Sequence, residues 1–315
     1  MAHILIAAEL RNLLDPDPVP GHGVEWIAAS EVTPTGDITA VVPLLSRRFG
    51  EAEFAQLPTL AIVANCAVGY DNIDVEAARR HGVIVTNTPD VLTASTADLT
   101  MLLILAVARR LKEGLALIAD GTWTGWHPQQ LLGLELDGAT LGIVGAGHIG
   151  QAVGRRAEGF GMRIRYSDRS ARPEFERATG ARRAPLEELL AASDVVTVHV
   201  PSSPDTRGMV NGKWFARMRD GALFVNTARG DVVDQPALLE ALERGTLAGA
   251  GLDVFPREPD VHPALVAHPR VVTLPHLGSA TTATRRAMAN LAVRNVRAVL
   301  AGKPPVTLVP GPPTE

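Results

Sequence analysis

Cysteine is nearly missing from this chain: Cys66 is the one thiol among 315 residues. A lone cysteine closes no internal disulfide, and it excludes a cage of zinc thiolates. An excess of either charge is missing too, since 30 Lys and Arg face 34 Asp and Glu for a net charge of −4. That balance lacks the strongly basic footprint of a nucleic-acid partner, and no block of like charges forms an acidic tail or a basic arm. Long apolar runs are absent as well. The most apolar stretch, 99–108, ends at Arg109 and Arg110, well short of the roughly 20 residues that span a bilayer. The opening residues MAHILIAAELRNLL lack the basic start and small-residue cleavage site of a signal peptide. No histidine pair has HExxH spacing, so no metal site is expected. These absences lead us to expect a soluble cytoplasmic protein without membrane or nucleic-acid partners.

Short β-branched runs alternate with Ala- and Leu-rich segments along the whole chain. Strands are predicted at 3–7, 39–42, 60–64, 83–86, 140–144, 163–166, 195–200, 222–226, 249–252 and 271–274. Most are continuously apolar, as strands buried on both faces of a parallel sheet are. Segments 149–160, 186–192, 214–218 and 235–244 supply the helical crossovers that parallel strands need, and Asp234 before Gln235 and Pro236 marks a helix start. The pattern predicts an α/β architecture built of βαβ units. Two longer helices, 96–110 and 281–300, are expected as paired hinges. They would connect an outer domain of 1–94 and 284–315 to an inserted one of 95–283. The proline-rich end, 303–315, is expected as a surface tail.

The strand 140–144 runs into Gly145-Ala-Gly147-His-Ile-Gly150 and then into a helix. GxGxxG alone is weak, but here a strand precedes it, a helix follows, and a second strand closes the unit. Gly145 is expected to make the tight turn, Gly147 to admit a pyrophosphate, and Gly150 to let helix and sheet pack closely. Asp168 follows the second strand eighteen residues past Gly150, near the spacing of a carboxylate that binds ribose hydroxyls. A carboxylate there repels the 2′-phosphate of NADP, while Arg169 beside it could accept that phosphate. NAD(H) is therefore favoured, with NADP(H) a second option.

A nicotinamide enzyme acting on a carbonyl needs a proton donor and a cation that orients the substrate. Arg229, Glu258 and His276 each follow a predicted strand, in Asn226-Thr-Ala-Arg-Gly-Asp231, Asp253-Val-Phe-Pro-Arg-Glu-Pro259 and Leu274-Pro-His-Leu-Gly-Ser-Ala280. Ligands bind at such strand ends in open α/β sheets. A guanidinium suits a carboxylate, and a histidine suits proton exchange near neutrality. Each residue alone is more often structural, and sequence alone does not join the three.

These motifs, in this order, resemble the D-2-hydroxyacid dehydrogenase family from about residue 64 to residue 300. The resemblance implies a Rossmann-type dinucleotide-binding domain inserted in a discontinuous flavodoxin-like substrate domain. It implies that Arg229 holds the 2-oxo acid and His276 protonates its oxygen as hydride reaches C2. Glu258 would keep His276 protonated and oriented. Asp253 would contact the nicotinamide carboxamide, and the cofactor set would comprise Gly145, Gly147, His148, Ile149, Gly150, Asp168, Thr227 and Asp253. Ala67-Val-Gly-Tyr-Asp-Asn-Ile-Asp74 resembles the family's substrate loop, with the amides of Val68 and Gly69 on the substrate carboxylate. Asn87-Thr-Pro-Asp-Val-Leu-Thr93 and Gly121-Thr-Trp-Thr-Gly-Trp-His-Pro128 resemble the glyoxylate/hydroxypyruvate reductases. In these, the tryptophan matching Trp126 walls the other subunit's site in a homodimer; a buried interface tryptophan without substrate contact is the competing reading. His148 stands where the family often has Arg, which puts a weaker hold on the cofactor in prospect, and Cys66 replaces a frequent aromatic. His199, within a strand, is expected as a core or cofactor-proximal residue.

Short 2-oxo acids are thus the expected substrates. The alternatives are 3-phosphoglycerate dehydrogenase or another D-2-hydroxyacid dehydrogenase. 3-Phosphoglycerate dehydrogenases commonly carry a regulatory domain for which no room is expected after Leu300. Formate dehydrogenase is disfavoured because that branch pairs its His with Gln. A non-enzymatic NAD(H)-sensing protein on the same fold is the remaining alternative.

Overall fold

In the computed structural model, which describes residues 2–28 and 37–310, the apolar runs of the sequence become interior strands. β1 (His3–Ala7) carries Ile4, Leu5 and Ile6, all fully buried. It is joined by β2 (Gly23–Ile27) and β3 (Ile38–Val42). After α1 (Glu51–Ala55) come β4 (Ile62–Ala64), α2 (Val75–Arg80) and β5 (Ile84–Thr86). The five strands are parallel in the order β2-β1-β3-β4-β5, the order of flavodoxin-like sheets. Phe49, Phe54, Val63 and Val85 fill the core of this sheet.

The next stretch opens with α3 (Thr93–Ala108) and α4 (Leu111–Ala119), separated by Arg110 in the left-handed region. β6 (Thr140–Val144), α5 (His148–Glu158), β7 (Arg163–Ser167), α6 (Pro173–Thr179) and β8 (Arg182–Arg183) follow. Then come α7 (Leu186–Ala192), β9 (Val195–Val198), α8 (Gly212–Phe215), β10 (Ala222–Asn226) and α9 (Gln235–Glu243). β11 (Leu247–Leu252), α10 (Pro263–Ala267) and β12 (Val271–Thr273) complete the series. These seven strands form a second parallel sheet, β12-β11-β10-β9-β6-β7-β8. From β8 across to β11 the strands run in the Rossmann order, so the chain direction across the sheet reverses between β6 and β9, where such sheets bind dinucleotides. β6, β9 and β10 are buried at every position.

The last helix, α11 (Thr282–Leu300), returns to the first sheet and packs on β3 and β4. The chain accordingly divides into two units, Met1–Leu92 with Ala280–Glu315, and Thr93–Ser279. The two long helices expected as a hinge pair each build one unit. α3 packs on α5, β10 and β11, where Gly249 and Gly251 make room for Val107 and Leu103. The expected surface tail is tied down over its described part, 303–310. Val309 is buried, its amide donates to the Val85 carbonyl at 3.0 Å, and Leu308 forms an antiparallel bridge with Thr86. A free β5 edge explains this: its unpaired backbone groups need partners. Residues 311–315 lie outside the described part.

Candidate active site

The glycine-rich turn has the geometry that its three glycines demand. Gly145 sits at φ +94°, and a Cβ there would meet the His199 carbonyl oxygen at 2.6 Å, across the β6–β9 divide. A Cβ on Gly150 would lie 2.2 Å from the Gly145 carbonyl oxygen, so α5 and the turn touch backbone to backbone. Around Gly147 a Cβ would meet nothing within 4 Å. No side chain caps α5 at Gly147, and the first amides of a helix attract anions. His148 is exposed, Ile149 is half-buried, and Gly150 is buried. The turn fits a dinucleotide pyrophosphate, with open space beside Gly147.

Asp168 stands just past β7 and is tied to that turn. Its Oδ2 accepts from the Ala146 amide at 2.8 Å and its Oδ1 from the Ser170 amide at 3.0 Å, while Arg172 reaches both oxygens at 3.3 and 3.4 Å. Burial opposes its ionisation, but the Ser170 amide, the Arg172 charge and the Ala146 amide outweigh it and hold the carboxyl below its usual range. Arg183 donates to the carbonyls of Asp168 and Arg169, fixing the backbone of this corner.

At the ends of β10, β11 and β12 three loops converge. Asn226 closes β10; its Nδ2 donates to the Arg229 carbonyl at 2.8 Å and its Oδ1 accepts from the Ala228 amide at 2.9 Å. This local ring sets the turn that carries Arg229. Gly230 then lies so close to Phe255 that a Cβ would fall 1.9 Å from its carbonyl carbon. The arginine turn and the Asp253–Glu258 loop therefore pack backbone on backbone. Glu258 Oε1 accepts from the Phe255 amide at 3.0 Å, and its Oε2 is 2.8 Å from His276 Nδ1. Both side chains are about one-third exposed. Burial opposes ionisation of Glu258, but the His276 hydrogen bond, the Phe255 amide and the charges of His276 and Arg229 hold it below the usual carboxylate range.

His276 adopts φ +55°, uncommon for a residue with a Cβ. Asp253 supports that conformation from behind. Its carbonyl accepts from the His276 amide at 2.9 Å, and its carboxylate oxygens accept from the amides of Leu277 at 2.7 Å and Gly278 at 2.9 Å. Asp253 is 1% exposed, and burial pushes its carboxyl up to about 6 against the pull of the Leu277 amide and the His276 charge. Thr227 is buried, with its hydroxyl 2.9 Å from that of Thr100 on α3.

Val68 and Gly69 belong to the first unit, on a half-exposed loop after β4. Trp126 belongs to the second unit and is 83% exposed. His199 is half-buried at the end of β9, its ring 3.0 Å from the Thr197 hydroxyl, and desolvation drives its pKa down to about 3, so the ring is neutral. Cys66 is buried, which raises its thiol to about 12. Among the described residues no three His, Cys, Asp or Glu side chains are grouped to hold a metal, and no helix is long and apolar enough to cross a membrane.

The sequence reading missed the supporting set: Asn226, Thr100 and Thr96, whose hydroxyl donates to the Gly278 carbonyl at 3.2 Å. Two threonines in an apolar helix were the available signal, since a buried hydroxyl requires a partner.

Residues 101–278 match the family model of the D-isomer specific 2-hydroxyacid dehydrogenase NAD binding domain. The chain is 50% identical over 277 residues to the glyoxylate reductase of Thermococcus onnurineus, covering 87% of this chain and 83% of that one. A crystal structure of a Thermus thermophilus protein superposes with a TM-score of 0.87 at 42% identity, covering 98% and 99% of the two chains. The NADPH-dependent glyoxylate/hydroxypyruvate reductase of Sinorhizobium meliloti, in complex with NADP and malonate, superposes with a TM-score of 0.85 at 35% identity. That match covers 98% of this chain and 96% of the other.

Proposed function

The chain belongs to the D-isomer specific 2-hydroxyacid dehydrogenase family, and from that premise we propose that it reduces a short 2-oxo acid, glyoxylate or hydroxypyruvate, to the D-2-hydroxy acid. The observation that carries the reading is the 2.8 Å contact between Glu258 and His276, beside the Arg229 turn on the sheet that also bears the glycine-rich turn.

The reduced nicotinamide, when bound, supplies hydride to C2 of the oxo acid. Arg229 orients the substrate through its carboxylate and carbonyl oxygen. Glu258, held ionised, accepts from Nδ1 of His276 and so fixes the ring with Nε2 free to face the substrate. His276 then gives its Nε2 proton to the carbonyl oxygen as that oxygen gains charge, and takes another from solvent afterwards. Asp253 holds the loop of His276 in place, and the same carboxylate is our candidate contact for the nicotinamide carboxamide. The amides of Val68 and Gly69 are our candidates for the substrate carboxylate.

NADH is the proposed preferred reductant, because the carboxylate of Asp168 repels a 2′-phosphate at the end of β7. The similar S. meliloti reductase is NADPH-dependent. The partner we propose is a second copy of this chain, since Leu115, Ile118, Trp123, Trp126 and Leu132 are all more than half exposed along one stretch of the second unit and an apolar patch of this kind marks an interface. We place the protein in the cytoplasm.

The test is absorbance-monitored oxidation of NADH and of NADPH with glyoxylate, hydroxypyruvate, pyruvate and 3-phosphohydroxypyruvate. Fast NADH loss with the first two is expected, and His276→Gln should lower kcat by about a hundredfold or more with cofactor affinity intact. Turnover of 3-phosphohydroxypyruvate alone would instead select the phosphoglycerate branch. NADH binding without turnover of any oxo acid would select a sensor.

A further inference from the structure

The loop 67–69 has every carbonyl captured from inside the first unit. The Ala67 carbonyl accepts from the Thr88 amide at 2.8 Å, and the Val68 carbonyl from Asn87 Nδ2 at 2.8 Å. The Gly69 carbonyl accepts from Asn65 Nδ2 at 2.9 Å. In a planar trans peptide the carbonyl and the following N–H point in opposite directions. Capturing the Ala67 carbonyl therefore turns the Val68 N–H outward, and capturing the Val68 carbonyl does the same for Gly69. Among the described residues neither amide donates to a protein acceptor.

The captors are themselves immobilised. Asn65, fully buried after β4, exchanges amide hydrogen bonds with Asn72 at 3.1 and 3.2 Å, and Asn72 donates to the Arg47 carbonyl at 2.8 Å. Asn87 accepts on its own carbonyl from the Thr307 hydroxyl at 2.6 Å. Thr307 is gripped in turn by Asn295 of α11, at 3.0 Å on its amide and 2.8 Å on its hydroxyl. The segment after α11 thus braces the back of this loop.

We propose that Asn87, braced by Thr307 and accompanied by the Asn65–Asn72 pair, is a positioning residue that aims the amides of Val68 and Gly69 at the substrate carboxylate. This rests on the reading of those two amides as carboxylate ligands. A buried amide pair with reciprocal bonds is costly to leave partly satisfied, so the arrangement is rigid before any substrate arrives, and a preformed pair of donors binds without an ordering penalty.

The experiment compares wild type with Asn87→Ala and Thr307→Val. It reads steady-state kinetics for glyoxylate, NADH affinity by fluorescence, and calorimetric titration of oxamate, a carboxylate that is not reduced, into the NADH-loaded protein. Asn87→Ala is expected to raise the glyoxylate KM and weaken oxamate by about tenfold, equivalent to about 1.4 kcal/mol. kcat should stay within about twofold and NADH affinity should not move, since the energy lost is that of uniform substrate binding. Thr307→Val should move the same two quantities in the same direction by a smaller factor, and it decides the matter if Asn87→Ala does not fold. Unchanged KM and oxamate affinity in the folded variants would overturn the proposal, as would a fall in kcat with KM intact. If the wild type reduces no 2-oxo acid, the functional reading fails by itself. The oxamate titration then still decides: weaker binding in the variants supports the positioning role, while equal or absent binding removes it.

Discussion

Glu258 and His276 show how much of a residue's chemistry comes from what surrounds it. The carboxylate is held ionised although burial opposes it, because the imidazole, the Phe255 amide and the Arg229 charge all favour the anion. A carboxyl whose pKa falls on folding stabilises the fold above its ordinary value of about 4.3. That contribution disappears as the pH drops below it. Glu258→Gln should lower the reductive kcat about tenfold or more with NADH affinity unchanged, and give a Tm that loses part of its acid dependence. A kcat equal to that of the wild type would show that the 2.8 Å contact does not serve the proposed proton transfer. In the sequence these two residues were legible only as loop residues after strands. The 2.8 Å contact depends on backbone packing of Gly230 on Phe255 and on the positive φ of His276, none of which a linear motif records.

At the scale of elements, strands buried on both faces read clearly, and edge strands do not. β6 and β10 were expected at 140–144 and 222–226 and form there, since every position is buried and each run is apolar but for one terminal residue. β2, Gly-Val-Glu-Trp-Ile, alternates exposed and covered positions at a sheet edge, and β8 is two exposed arginines. Neither carries a continuous apolar run, so both were missed. The glycine-rich turn separates two duties that its sequence lumps together. Gly147→Ala puts a methyl into open space at an ordinary φ, whereas Gly150→Ala drives one into the Gly145 carbonyl. The first should weaken NADH binding about tenfold or more with Tm unchanged. The second should lower Tm itself by several degrees, as overpacking costs about 1–3 kcal/mol. Calorimetry and thermal melts on the two variants check this. A Tm loss in Gly147→Ala would mean that the turn is filled by protein rather than left open for phosphate.

At the scale of the molecule, two parallel sheets of five and seven strands among the described residues belong to two units, the first assembled from both ends of the chain. Its last helix and the segment after it reach back to β3, β4 and β5. The second unit carries the exposed apolar stretch of α4 and the residues beyond it, with Leu115 at 61%, Ile118 at 63% and Trp126 at 83% exposure. Two charges placed on one face of α4 by Leu115→Glu with Ile118→Glu should convert the proposed dimer to a monomer in sedimentation velocity, leaving the secondary structure intact. An unchanged sedimentation coefficient would place the contact elsewhere.

Local sequence determined the strands buried on both faces, the glycine turn and the three loop residues, because burial periodicity and turn chemistry act over a few neighbouring positions. It also carried the family resemblance, since motifs at strand ends are contiguous. Tertiary structure alone decided which polar groups meet. Asn65 with Asn72, Asn87 with Thr307, Thr96 with Gly278 and Glu258 with His276 are brought together by sheet order and helix packing over as many as 220 residues of chain. The physical reason is that a buried polar group must find a partner wherever the fold supplies one, and the direction of that bond is set by backbone far away in sequence.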